Sequence, residues 1–272
     1  MDRRPLSNTG ETIPSIGIGT WRYLGDPLIL QKAIELGANL IDTAEAYETE
    51  EFVGKAISGI RTQCFIATKV SGQNLKSKDL VNACERSLVR LGIDTIDLYQ
   101  VHWPNSNIPI SETMEGMAKL LEQGKIRFVG VSNFSVSQMQ AANESLKSLS
   151  GNHGIVSNQV PYSLFNREIE EELLPFCEKN HITVIGYSPL EQGRFLNEVD
   201  SSHIVHEVLA GVVKETGGTA AQVLIKWAIQ KNWTVTIPQT NKILRVDENF
   251  GPTKWELTKD QYKALSDASK DL

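Results

Sequence analysis

Eight short β-type runs, ending near Gly19, Asp42, Lys69, His102, Ser132, Gln159, Tyr187 and Ile237, alternate with longer segments of helical period. No other feature constrains the chain as much, because a strand, a helix and a second strand in sequence are the repeating unit of a parallel sheet. The helical segments fall around 27–36, 50–57, 78–90, 111–123, 135–147, 168–180, 205–231 and 241–249, most with apolar residues three and four apart. Gly124 stops the fourth, and Gly217-Gly218-Thr219 divides the seventh into two helices. The polar turn Asn8-Thr9-Gly10 is placed to close an N-terminal hairpin, and a helical stretch near 260–269 ends the chain. Strand-to-strand spacing is uneven, roughly 20 to 50 residues, which argues against a solenoid of fixed repeats. The expectation is an α/β chain folded as one (β/α)8 TIM barrel over residues 1–272, with a short N-terminal β-hairpin and a short C-terminal helical tail.

Composition narrows the partners. With 272 residues and 40% hydrophobic content, the chain can bury the core of one barrel. Its 27 Lys and Arg against 33 Asp and Glu leave a net charge of −6, and no basic run stands out. Nucleic acid and an anionic membrane are therefore disfavoured, and a small molecule is expected. The first residues, Met1-Asp2-Arg3-Arg4-Pro5, lack an apolar stretch after their charges, and no apolar segment has membrane length. Both point to the cytoplasm. Cys64, Cys84 and Cys177 lie inside apolar patterns without metal-like spacing, as buried reduced thiols do.

Three of the runs, Asn39–Asp42, Phe65–Lys69 and Ile96–His102, close on a polar residue. If each is a buried parallel strand, the three ends emerge on one rim, the face that carries chemistry in a barrel. Tyr47 follows Asp42 closely enough to join them. Each residue alone has an ordinary reading. Asp42 and Glu45 have the spacing of a helix-capping pair, Tyr47 suits a half-buried packing position, Lys69 a solvated strand end, and His102 a turn carbonyl. As a set they suit a proton-donating site for reducing a carbonyl.

The segment Leu36-Gly37-Ala38-Asn39-Leu40-Ile41-Asp42-Thr43-Ala44-Glu45-Ala46-Tyr47 carries a more specific signal. Downstream stand Ala67-Thr68-Lys69-Val70, Asp97-Leu98-Tyr99-Gln100-Val101-His102-Trp103-Pro104, Gly130-Val131-Ser132-Asn133-Phe134, Asn158-Gln159-Val160, Gly186-Tyr187-Ser188-Pro189-Leu190 and Ile237-Pro238-Gln239-Thr240. In this order and over nearly the whole chain, they resemble the aldo-keto reductase family, in a compact microbial form.

The resemblance implies hydride transfer from a reduced nicotinamide to an aldehyde, aldose or ketone, with Tyr47 as general acid. A free tyrosine titrates near ~10, so it needs help as a donor at neutral pH. A nearby Lys69 ammonium favours the phenolate, Asp42 holds Lys69 as a buried partner, and His102 orients the carbonyl oxygen. The chain has no Gly-x-Gly-x-x-Gly between a strand and a helix, so the cofactor does not sit on a Rossmann fingerprint. By the resemblance it lies across the barrel mouth, held by Thr20, Trp21, Ser132, Asn133, Gln159, Tyr187, Ser188, Leu190, Gln239, Thr240, Arg245, Glu248 and Asn249. Ser132-Asn133 also reads as a helix N-cap. The segment from Pro238 reads as a helix opening whose amides attract phosphate. The family usually has lysine after Ile-Pro, where this chain has Gln239. NADPH is the cofactor implied, Arg245 and Lys242 supplying charge, and Gln239 leaves NADH open.

Trp21 and Trp103 are expected to wall the substrate pocket, and Trp255 either joins them or packs the tail onto the barrel. Two other functions fit the same rim: a sugar-phosphate isomerase or aldolase using Lys69 as a Schiff-base amine, and an NADP-binding regulatory subunit. No metal is expected, since His203 and His206 lack a third ligand at a telling spacing. Glu168, Glu170, Glu171 and Glu172 read as a solvated helix face. A monomer is the family-based expectation.

Overall fold

A computed structural model describes residues 1–151, 153–193, 200, 202–251, 255–270 and 272. The strands of its parallel sheet are short and, apart from the start of the strand at Ile126–Ser132, almost wholly buried, as parallel strands covered by helices must be. After the hairpin strands β1 (Arg3–Pro5) and β2 (Thr12–Pro14) come β3 (Ile18–Gly19), β4 (Leu40–Asp42), β5 (Phe65–Val70), β6 (Ile96–Val101), β7 (Ile126–Ser132), β8 (Ile155–Pro161), β9 (Thr183–Tyr187) and β10 (Thr234–Thr236). Strands β3 to β10 pair in chain order, all parallel. The ring then closes on itself. Ile16 bridges Thr236 in parallel, Gly17 N donates to Thr236 O at 2.8 Å, and Thr236 N donates to Ser15 O at 2.9 Å. Closure leaves no sheet edge open. This is the (β/α)8 barrel expected from the sequence, and every observed strand ends within two residues of its expected end.

Helices cover the outside: α1 (Pro27–Glu35), α2 (Glu50–Ile57), α3 (Ser77–Leu91), α4 (Ile110–Glu122), α5 (Val136–Ser150), α6 (Leu173–Lys179), α7 (Ile204–Thr216), α8 (Ala220–Ala228), α9 (Val246–Phe250) and α10 (Lys259–Ala268). The division of the seventh segment falls at Gly217, which takes φ +70°, and Thr219 with Gln222 then forms a capping box for α8. Inside the barrel, Leu40, Phe65, Ala67, Leu98, Ile185 and Val235 pack on Leu6 and Ile13 of the hairpin, both wholly buried. Thr183 at the start of β9 donates its hydroxyl to Pro5 O at 3.0 Å and accepts Ser7 N at 2.9 Å. The hairpin therefore plugs the end where the strands begin, and the opposite rim is left for chemistry.

Several expectations need correction. Only a 3-10 turn, Glu168–Glu170, stands where the sixth helix was expected to start, because Glu170 turns inward to accept Tyr162 Oη at 2.8 Å and to pair with Arg167. That glutamate is not part of a solvated face. The helix expected over 241–249 shrinks to a 3-10 turn at Ile243–Arg245 and the five residues of α9. Thr240 Oγ1 accepts Lys242 N at 3.0 Å, a local turn that competes with helix. Phosphate would therefore meet a loop here, not a helix N-terminus. His203 caps α7, its Nδ1 accepting Val205 N at 3.2 Å. Trp255 packs against Gly218, where a Cβ would come within 2.2 Å of its ring, so it seats the tail and does not wall the rim. Among the described residues no helix is long and apolar enough to cross a membrane, and no three His, Cys, Asp or Glu are grouped to hold a metal. Cys64, Cys84 and Cys177 are buried and free.

Replacing Ile13 by Ala truncates one of the two wholly buried apolar side chains of the plug. Thermal or denaturant unfolding of this variant should show a loss of about 3 kcal/mol, while its turnover at 25 °C stays within twofold of wild type.

Candidate active site

The strand ends deliver Asp42 and Lys69 to the interior of the rim as a buried pair. Lys69 is 0% exposed, and its Nζ donates to Asp42 Oδ1 at 2.7 Å and to Thr43 O at 2.8 Å. The third contact of Nζ is Tyr47 Oη at 3.4 Å. All three hydrogens of the ammonium are thus directed, the condition under which a lysine tolerates full burial. Burial alone would lower the Lys69 pKa, but the charge of Asp42, then Tyr47 and the hydrogen bonds to both, outweigh it and raise it above the usual lysine value. The other oxygen of Asp42 accepts Gln159 Nε2 at 2.7 Å. Neither Asp42 nor Glu45 caps a helix.

Tyr47 and His102 complete the cluster. Tyr47 lies on the 3-10 turn Glu45–Tyr47, and its ring meets that of His102 edge-on, centroids 5.4 Å apart. Enclosure raises the Tyr47 pKa, Lys69 pulls it down, and Asp42 raises it again, with a net increase over 10. The expectation of a lowered tyrosine pKa therefore holds for the effect of Lys69 but not for the sum. Burial, and then the Lys69 charge, depress His102 to about 4. At neutral pH the site offers a protonated phenol, a neutral imidazole and a buried ammonium. Such a set donates one proton and one further hydrogen bond to a developing oxyanion.

The cluster opens into a cavity of about 980 Å³ that runs from Trp21, Tyr47, His102 and Trp103 at one end to Gln239, Lys242, Arg245 and Asn249 at the other. Trp21 and Trp103, which line it, are 40% and 52% exposed. Between the two ends, Ser132 Oγ donates to Gln159 O at 2.8 Å, Asn133 Nδ2 to His102 O at 3.1 Å, and Tyr187 Oη to Asn133 Oδ1 at 3.1 Å. Ser132, Asn133 and Tyr187 form a brace behind the rim, and the N-cap of α5 is Ser135 instead. Ser188 and Leu190 line the same wall.

The far end suits a dinucleotide. Gln239 Nε2 and Asn249 Oδ1 are buried without a protein partner, and two such atoms call for a ligand's hydrogen bonds. Lys242 and Arg245 are exposed beside them. Thr240 lines this end also. Two expected contacts lie elsewhere. Thr20 is fully buried, its hydroxyl donating to Asp42 O at 3.0 Å and lying 2.9 Å from Thr49 Oγ1, and Glu248 faces a separate hollow of about 110 Å³, 3.8 Å from Arg245. Two further residues shape the rim: Thr49 ties Thr20 to Thr43, and Asn241 bridges Arg22 O and Leu24 N at 3.0 Å each. Thr and Asn in loops carry no periodic signal, so neither was visible without the fold.

Residues 15–270 match the model of the Aldo/keto reductase family. The chain belongs to the aldo-keto reductase family. Methylglyoxal reductase YeaE of Escherichia coli is 37% identical over 281 residues, 98% of this chain and 95% of its own. Among solved aldo-keto reductases, thermostable Tm1743, crystallised with the inhibitor epalrestat, superposes with a TM-score of 0.88 at 36% identity, covering 98% of this chain and all of its own. One from Klebsiella pneumoniae, crystallised with NADP and acetate, gives 0.87 at 33%, covering 98% and 95%. As an aldo-keto reductase the protein is an oxidoreductase that acts on carbonyl groups.

The depressed His102 pKa has a thermodynamic consequence. The unfolded chain, with histidine near 6.5, binds more protons than the folded one down to about pH 4, so this residue's contribution to stability is lost as pH falls through that window. A proton NMR titration should leave one imidazole neutral down to about pH 5, and His102→Gln should remove that signal. A folded-state titration near 6.5 at His102 would contradict the geometry.

Proposed function

We propose that this protein reduces small aldehydes and α-dicarbonyls of the methylglyoxal type with NADPH, Tyr47 donating the proton. The observation that carries the proposal is the contact of a fully buried, triply hydrogen-bonded Lys69 with the Tyr47 hydroxyl. Reduced nicotinamide supplies the hydride when bound. Tyr47 then gives its proton to the carbonyl oxygen, Lys69 stabilises the tyrosinate left behind, and neutral His102 directs the same oxygen from the opposite side. Asp42 and Gln159 keep Lys69 in place throughout. Trp21 and Trp103 give the cavity apolar surface beside Tyr47 and His102, and the open mouth suits substrates of little bulk. The nearest support for the substrate class is the similarity to a protein named methylglyoxal reductase.

For the cofactor, Lys242 and Arg245 favour the extra phosphate of NADPH, and Gln239 offers it a hydrogen bond without charge. Similarity to a structure crystallised with NADP points the same way. A Schiff-base role for Lys69 meets a physical obstacle: its amine is enclosed by three oxygens and held protonated, the opposite of an activated nucleophile. The complete proton-donating set supports catalysis over a purely regulatory cofactor sensor. Buried reduced cysteines accord with a cytoplasmic enzyme working on a small molecule, which we read as a monomer.

Tyr47→Phe should lower aldehyde reduction by about 10³-fold or more, read from NADPH absorbance, with NADPH still quenching protein fluorescence at wild-type concentrations. An unimpaired variant overturns the mechanism. Gln239→Lys should raise the NADPH-to-NADH preference in kcat/KM by about 10-fold, and an unchanged ratio would place Gln239 away from the phosphate.

A further inference from the structure

Lys69 and His102 are fixed by the barrel itself, at or just beyond the ends of paired strands. Tyr47 is not. It ends a single 3-10 turn whose next residue, Glu48, lies at φ +58°, a conformation that costs a non-glycine residue energy and needs support from outside the turn. Thr49 anchors the far side of this segment through Thr20 and Thr43. The near side is held by Glu45.

Glu45 Oε2 accepts Ser71 N at 3.0 Å, Asn74 Nδ2 lies 3.0 and 3.1 Å from its two oxygens, and the Arg86 guanidinium approaches at 3.4 Å. Its side chain is only 15% exposed. Burial would raise its pKa, but the hydrogen bonds from Ser71, Asn74 and Arg86 bring it below the usual value, so it is ionised when the site works. Ser71 follows Lys69 by two positions, and Gly72–Asn74 is a 3-10 turn directly beyond β5. The same turn receives Asn105 from the loop after His102, Nδ2 donating to Gly72 O at 2.8 Å. One short turn therefore follows the strand that carries Lys69 and touches both the turn that carries Tyr47 and the loop after His102.

We propose that Glu45 is a positioning residue for proton transfer, bolting the turn that bears Tyr47 to the turn that follows Lys69 and so setting the distance between them. This rests on the reading of Tyr47 as proton donor. The carboxylate does not line the cavity. Its effect falls on the chemical step and spares cofactor binding, because the dinucleotide end of the cavity lies on other loops. Displacements of about 1 Å at a reacting group cost up to about 100-fold in rate, the scale on which the bolt operates.

The test uses the full-length enzyme with NADPH and excess methylglyoxal, measuring single-turnover hydride transfer and the NADPH Kd from fluorescence quenching. Glu45→Ala should slow transfer about 30-fold with Kd within twofold. Glu45→Gln, which keeps an acceptor for Ser71 N, should recover to within about fivefold of wild type. The Glu45→Ala, Asn74→Ala double variant should be no slower than Glu45→Ala alone, since both act through one contact. If Glu45→Ala fails to fold, Asn74→Ala carries the test, with about a fivefold loss in transfer and an unchanged Kd. Transfer within threefold of wild type in Glu45→Ala, a parallel loss of NADPH affinity, or additive losses in the double variant overturns the inference. A wild-type enzyme that oxidises no NADPH with any aldehyde would instead overturn the proposed function.

Discussion

A lysine with no exposure to solvent is the constraint on which the rest of this site depends. Stripped of a partner, such a buried charge would cost several kcal/mol, and breaking a buried ion pair typically costs about 3–5 kcal/mol. The barrel meets that demand by bringing β4 and β5 side by side, so that Asp42 and Lys69 reach each other at 2.7 Å, and by letting the carbonyl of Thr43 take a second hydrogen. Gln159 crosses from β8 to hold the second carboxylate oxygen. What remains of the ammonium's field points at Tyr47. Structural stability and the proposed proton donation thus follow from the same arrangement.

Around this pair the chemistry is set by differences in enclosure. His102 is depressed to about 4 by burial and by Lys69, which keeps its imidazole neutral where the enzyme works. Tyr47 stays protonated because enclosure outweighs the pull of Lys69. A resting donor that holds its proton, beside a cation that stabilises its loss, suits transfer in step with the hydride. One cavity is lined both by Gln239 and Arg245, where we propose the cofactor's polar end is held, and by Trp21 and Trp103, and Asn241 ties the loop after Trp21 to the loop after Gln239.

Much of this was legible in the chain. Asp42, Lys69 and His102 could be placed on one rim because each closes an apolar run, and the repetition of such runs made a closed barrel the economical fold. Tyr47 joined them only by its closeness to Asp42, since a loop tyrosine has no periodic signature, and its role as general acid came from the family resemblance. Other features required three dimensions. Gln159 reads as a strand-end amide that holds the cofactor, and its Nε2 is committed to Asp42 across the barrel. Asn133 reads as a cap and instead braces Tyr187 and the His102 carbonyl. The segment after Pro238 has helical spacing, but the Thr240 hydroxyl competes for its backbone amides and delays the helix to Val246. In each case a polar side chain satisfied a distant or local backbone demand that spacing along the sequence does not encode.

The central claim is that the buried Lys69 charge makes Tyr47 a proton donor. Rapid mixing of Lys69→Met with NADPH and excess aldehyde, following loss of NADPH absorbance in a single turnover, tests it most directly, because methionine fills the same space without the charge. A slowing of about 10³-fold is expected in an enzyme that still binds NADPH. Hydride transfer within tenfold of wild type would contradict it.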